Sequence, residues 1–215
     1  WSGFVQDFRI YNGVAKYTSN FEPASTYPSI TCASPSGVVH SSALAKYTNG
    51  SVSFDATGDY LELASSSDFA YGTGDLTIEC WIYPISTGND VGFPDPRAAT
   101  TNAVQCMVGC NSSLQLFVYV NGSHLISPSS DTAMGANMWH HVVYSRSGSS
   151  GRLFLDGKAI GTATDNNNYV ASGMKYGWHA WNGGIFKGHI SNARIVKGTA
   201  VYTQDFTPPS GPLTN

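Results

Sequence analysis

The sequence predicts an all-β fold of antiparallel strands, arranged as a sandwich or a barrel. Three observations carry this. Apolar and polar residues alternate with period two in short runs along most of the chain. Gly and Asn turns separate those runs. No segment sustains a 3.6-residue apolar stripe over three helical turns.

The runs can be taken in order. Ser51-Val52-Ser53-Phe54 and Tyr60-Leu61-Glu62-Leu63 each alternate. Thr77-Ile78-Glu79-Cys80-Trp81-Ile82-Tyr83 does the same and is expected to stop at Pro84, which has no N–H for a ladder. Pro84, Gly88, Gly92, Pro94 and Pro96 then punctuate a stretch with little pattern. Residues 84–103 therefore read as a long loop, functional or mobile. Leu114 to Val120 reads as a strand buried on both faces. Asn121-Gly122 and His124-Leu125-Ile126 follow it, the strongest short hairpin signal. Trp139 to Arg146 is another strand. Arg152 to Leu155, Asp156-Gly157 and Lys158 to Ile160 form a second hairpin.

Composition bounds the function. The chain has 215 residues, one large domain or one domain plus a fragment. An aromatic content of 13% argues against disorder despite only 12% charged residues. A formal net charge of −3 makes electrostatic nucleic-acid binding a poor fit. No apolar run approaches the ~20 residues of a membrane span. The chain starts at Trp1 with no signal-peptide pattern, as a processed protein or part of a longer one would. Cys106 and Cys110 form CxxxC, while Cys32 and Cys80 stand alone. No His lies at zinc-finger spacing, so buried thiols are expected, with one disulfide open in an oxidising setting.

The two ends of the chain match each other. Residues 3–23 align without a gap on residues 188–208, at an offset of 185. Nine of the 21 positions are identical: Gly3/Gly188, Arg9/Arg194, Ile10/Ile195, Gly13/Gly198, Ala15/Ala200, Tyr17/Tyr202, Thr18/Thr203, Phe21/Phe206 and Pro23/Pro208. An offset this long is a domain length rather than a solenoid period. Residues 1–28 thus read as the last strand and tail of a preceding copy with its linker, and residues 29–215 as a complete domain. The alternative is that residues 1–28 add a strand to this domain or to a neighbouring subunit.

Five ordered stretches are similar to the laminin-G-like branch of the concanavalin A-like lectin/glucanase superfamily. They are Val52-Ser53-Phe54-Asp55 with Gly58-Asp59-Tyr60-Leu61; Leu76 to Pro84 with its Trp81; Trp139-His140-His141-Val142; Leu153-Phe154-Leu155-Asp156-Gly157; and Phe186-Lys187-Gly188-His189-Ile190 with Arg194-Ile195. The closing segment, through Tyr202-Thr203 and Phe206 to Pro208-Pro209, resembles copies in bacteriophage tail, fibre and capsid-appendage proteins. The resemblance implies an antiparallel two-sheet jelly-roll sandwich. It also implies binding, often to glycans and sometimes with calcium.

Chemistry-bearing residues are few. The superfamily's glucanases carry a Glu-x-Asp-x-x-Glu strand, absent here, and hydrolysis needs two carboxylates facing one cleft. Glu62 and Glu79 fall on different strands. His140 and His141 are adjacent in a strand, point to opposite faces and cannot chelate one ion together. Trp81 and Trp139 read as packing residues. Asp55, Asp59, Asp131, Asp156 and Asp165 lie in turns without a calcium-loop motif, so calcium stays open and no ligand set emerges. Asn49, Asn111 and Asn121 begin glycosylation sequons, relevant only in a eukaryotic secretory setting. The candidate binding stretch is Gly-rich and lacks alternation: Tyr176, Trp178, His179, Trp181 and Asn182. Flat rings stack on sugars, and His and Asn bond hydroxyls. Contact with a subunit and packing within the domain are the competing uses.

The sequence therefore predicts a non-catalytic module on a virion surface, a phage tail fibre or appendage, that binds host-surface polysaccharide in a homo-oligomer. A structural spacer contacting other virion subunits is the alternative, and a glycoside hydrolase the minor one.

Overall fold

The computed structural model describes residues 30–32, 38–47, 50–96, 104–170, 172–180, 183 and 185–213. Fourteen strands occur among them: β1 (Ile30–Cys32), β2 (Val39–Ser41), β3 (Ser51–Asp55), β4 (Leu61–Ser66), β5 (Leu76–Thr87), β6 (Val91–Gly92), β7 (Cys106–Cys110), β8 (Leu116–Val120), β9 (Ser123–Ile126), β10 (His140–Ser147), β11 (Ser150–Leu155), β12 (Lys158–Thr164), β13 (Ser172–Tyr176) and β14 (Phe186–Lys197). Two single 3-10 turns, Ser67–Phe69 and Ser130–Thr132, are the helical pieces among the described residues.

The strands form two layers. The larger is antiparallel throughout, in the order β12-β11-β10-β5-β14-β3-β2. The second consists of β1-β4-β13 and β6-β7-β8-β9. A short seam joins these halves. Asp95 and Lys175 exchange backbone hydrogen bonds of 2.7 and 2.9 Å, and Gly92 donates to Trp178 O at 2.7 Å. In the large sheet β14 inserts between β5 and β3, far from either in sequence, so the chain crosses between layers. The fold is the two-sheet antiparallel jelly-roll sandwich that the sequence predicts.

The core lies between the layers. Leu76, Ile78, Cys80 and Ile82 of β5 pack with Val142 and Tyr144 of β10 and with Phe186 and Ile190 of β14. Val108, Leu116, Val118, Met174 and Tyr176 face them from the second layer. Each such side chain contributes roughly 1.5–3 kcal/mol on burial. β5 is also buried on its other side, through Thr77, Glu79 and Trp81, so its alternation is one of polarity and not of exposure. Cys80, Cys106 and Cys110 are free and buried, as expected. Burial pushes all three thiols above their ordinary range.

Three expected elements come out differently. β5 does not stop at Pro84 but runs on to Thr87. Pro84 lies opposite Gly188 at a register shift between Lys187 and Gly188, where the ladder is already interrupted. Gly188 adopts φ +152°, and a Cβ there would lie 2.3 Å from Tyr83 O. The unpatterned stretch after Pro84 is not a free loop as far as Pro96. Residues 91–96 are buried and supply the seam of the second layer. β8 starts at Leu116, because Leu114 (φ +57°) belongs to a turn. Asn111 Oδ1 holds that turn by accepting from Ser113 N at 2.9 Å and Gln115 N at 3.0 Å. Residues 1–28, expected to be the end of a preceding copy or an added strand, lie outside the described residues.

Candidate functional site

Alternation along β13 places the site. Met174 and Tyr176 point into the core, so Lys175 between them points out. Lys175 pairs in register with Glu62 of β4, and their side chains meet at 3.7 Å on the outer face of the second layer. Gly177 then takes φ +74°, and a Cβ there would lie 2.7 Å from the Phe54 ring. This turn breaks the alternation and swings Trp178 to the side of Lys175. Tyr60, two residues before Glu62, comes up beside it. The Tyr60 and Trp178 ring centroids are 4.7 Å apart and inclined at 61°. The Lys175 ammonium sits 4.3 Å from the Tyr60 centroid and 4.5 Å from that of Trp178. The result is a half-buried patch of two rings, an ammonium and a carboxylate on one face.

The other expected contact residues go elsewhere. Tyr176 is 7% exposed and part of the core. His179 is 5% exposed and shares a backbone hydrogen-bond pair with Gly183. Both are packed within the domain, outside the half-buried patch. Trp181 and Asn182 lie outside the described residues. Tyr60, Glu62 and Lys175 were not singled out with the aromatic segment. Their signal was tertiary, since β4 is distant from β13 in sequence.

The outer face of the large sheet carries a second cluster, and it is closed. Glu79 bonds His141 Nε2 at 3.0 Å and Arg194 Nε at 2.8 Å, and Tyr202 donates its hydroxyl at 3.3 Å. Trp81 stacks on His141 at 4.8 Å, with the Lys46 ammonium 3.8 Å from the Trp81 ring. The tail after β14 covers the cluster. Val201 N donates to Thr77 Oγ1 at 2.8 Å, and Phe206 N to Gly157 O at 2.8 Å. Burial alone would raise the Glu79 carboxyl. The hydrogen bonds from His141 and Arg194 and their charges outweigh it and hold it below the ordinary value. Burial and the Glu79 charge push the Tyr202 phenol up to about 12, so it stays a donor.

The remaining polar candidates are structural. His140 bonds Asp156 at 2.7 Å and Gly135 O at 3.0 Å, on the opposite side of β10 from His141. Fully buried Arg146 donates to the carbonyls of Gly72, Gly74 and Asn167 and to Asp165, and lies 4.6 Å from the Tyr169 ring centroid. Tyr144 and Tyr169 also donate to Asp165, at 2.6 and 2.7 Å. Among the described residues, no group of three or more His, Cys, Asp or Glu is placed to hold a metal ion.

Residues 55–202 match the family model described as the concanavalin A-like lectin/glucanases superfamily. The chain belongs to that superfamily. No curated protein sequence matches it. Solved structures share the superfamily's sandwich at low identity. Domain 4 of AbnA, an extracellular GH43 arabinanase from Geobacillus stearothermophilus solved with arabinotriose, gives a TM-score of 0.57 at 12% identity, over 79% of this chain and 82% of that one. The binding domain of Paraclostridial Mosquitocidal Protein 1 gives 0.60 at 9%, over 81% and 45%. The binding domain of botulinum neurotoxin serotype G gives 0.59 at 11%, over 80% and 44%. The chain thus spans less than half of each toxin domain. Identities this low show the fold alone. No helix among the described residues is long and apolar enough to cross a membrane, which leaves β-barrel insertion untouched.

Proposed function

We propose that this chain is a non-catalytic carbohydrate-binding module, with the Trp178–Tyr60–Lys175–Glu62 patch as its sugar-facing surface. The observation that carries the reading is that patch. Two rings offer apolar faces and edges to a pyranose or furanose, and the ammonium and carboxylate beside them can bond its hydroxyls. The arabinotriose seen with the AbnA domain supports sugar binding on this fold, and supports it as analogy only.

The placement of the carboxylates favours binding over hydrolysis. Glu79 is wholly buried under the tail with an arginine and a histidine on it, while Glu62 lies on the other layer. They do not flank one cleft, as glycoside hydrolysis requires. The parent protein is read as a phage tail fibre or appendage on the virion surface. The closing segment's resemblance and the Ser, Thr and Asn-rich, Lys and Arg-poor composition support this. Weak single sites gain avidity when copies are linked.

The test is a polysaccharide array that includes arabino-oligosaccharides and bacterial surface glycans, read with the native oligomer. Selective binding is expected, weakened about tenfold or more by Trp178→Ala or Tyr60→Ala, as loss of one stacking ring implies. Silence across the array, with the patch buried between subunits, would replace sugar binding with a virion-subunit contact. Turnover of any glycan would overturn the non-catalytic reading.

A further inference from the structure

The two charges of the patch are not equally available. The Lys175 ammonium rests against both rings, 4.3 Å from the Tyr60 centroid and 4.5 Å from that of Trp178, and its side chain is 21% exposed. The ring faces take up part of its charge. The Glu62 side chain is 39% exposed, the more open of the two. Their 3.7 Å separation is an ion pair beyond hydrogen-bond reach. The carboxylate therefore keeps its lone pairs for a ligand.

The surroundings lean the same way. The turn that leads into Tyr60 holds two more carboxylates, Asp55 and Asp59. One cation, Lys187, stands opposite Asp55 in the β3–β14 ladder. Among the described residues, Lys175 is the one cation placed over the Tyr60 and Trp178 rings. The chain as a whole carries a net charge of −3.

We propose that the patch is selective for neutral glycans and that Glu62 is the residue that sets this choice. The proposal rests on the sugar-binding reading above. A carboxylate accepts from two neighbouring hydroxyls of one sugar, a pair that neutral pyranoses and furanoses supply. A uronic or sialic acid brings its own anion into the same few ångströms and meets like charge. Lys175 does not offset this, because Glu62 and the two rings already share its charge. Glu62 thus has two effects at once: it bonds the hydroxyls of a neutral sugar and repels an acidic one.

Calorimetric titration of the full chain and of Glu62→Gln tests this. The probes are neutral arabino-, gluco- and galacto-oligosaccharides, and oligogalacturonates and sialic acid oligomers of equal length. The parent chain should bind within the neutral set. Its affinity should hold within about twofold from about 50 to 300 mM salt, since it makes no ion pair with the ligand. Glu62→Gln should shift the preference. Neutral binding should weaken about tenfold with the charged acceptor gone. Acidic binding should strengthen about fivefold or more, the factor that like charges ~4 Å apart give even in water, and the gain should fade in high salt. A substitution that merely loosened the fold would weaken both sets alike. Acidic glycans bound by the parent as tightly as neutral ones, or an unchanged preference in Glu62→Gln, would overturn the proposal and leave sugar binding standing. Silence of both chains toward both sets and across the array would remove the sugar reading itself, and this inference with it.

Discussion

Glu79 shows how much one buried charge decides. Its carboxylate is out of water, so its stability rests on His141, Arg194 and Tyr202 together. Removing one partner of a buried pair leaves the other uncompensated, which costs about 3–5 kcal/mol. Arg194→Ala should therefore lower the urea midpoint sharply with little change in slope. Arg146 poses the same problem at the other end of β10. Arg146→Lys keeps the charge but loses the planar fork that reaches three carbonyls, and should destabilise nearly as much. Neither substitution touches Trp178, so the proposed sugar binding, read on the folded fraction, should be unchanged.

The pH profile follows from the same groups. Glu79, Asp156 and Asp165 have folded values below their ordinary ones. For each, burial raises the value, but hydrogen bonds to the carboxylate, from His141, His140 and Tyr144 first, outweigh it. A lowered folded pKa contributes stability above the ordinary value and loses it as pH falls through the folded one. His189, lowered by burial, adds a shallower loss below its ordinary 6.5. Tyr144 and Tyr169 are raised by burial, and their contribution fades above the ordinary 10.0. Urea midpoints should be flat from about pH 7 to 8, decline slightly toward pH 5 and fall steeply below about pH 4. They should fall again toward about pH 9 and above, where Cys80, Cys106 and Cys110, raised by burial, ionise first in the unfolded chain. A midpoint unchanged at pH 3 would contradict the ion-pair account.

At the scale of elements, β14 and its tail matter most. The bulge between Ser191 and Arg194 reverses the inward and outward pattern halfway along β14, so Arg194 can reach Glu79. Asn192→Gly should be tolerated, whereas Asn192→Val should cost about 1–2 kcal/mol, since a β-branched residue resists positive φ. Gly157→Ala is a sharper test. Its Cβ would fall 1.9 Å from Phe206 O in a turn already at φ +82°, so the tail must lift. Limited proteolysis should then cut after Gly198 at rates the parent protein does not show. The hairpins at Asn121-Gly122 and Asp156-Gly157 were legible because positive φ at both turn residues demands those types. Strands β6 and β13 were not, since β6 has only two residues and β13 is interrupted by a register shift between Ser172 and Met174.

At the largest scale, the described residues form one sandwich that buries three thiols. In a Cys32→Ser background, Cys80, Cys106 and Cys110 should stay silent to a thiol reagent at pH 8 and react together on unfolding. Their raised pKa and full burial leave global opening as the route. Early reaction of one thiol would mean that the second layer opens on its own.

The sequence by itself determined the all-β class, the antiparallel hairpins, the family and the end-to-end repeat. These depend on period-two patterning, turn chemistry and residue identity, all local in the chain. Only the tertiary structure decided which aromatic residues face outward. Tyr176 and Trp178 are two residues apart and would share a face in an unbroken strand. Gly177 turns one into the core and the other toward Tyr60 and Lys175. The same holds for Glu79: its role beneath the tail depends on Arg194 and Tyr202, more than a hundred residues away. Patterning records which side chains are apolar, but only the meeting of distant strands fixes which of them a ligand can reach.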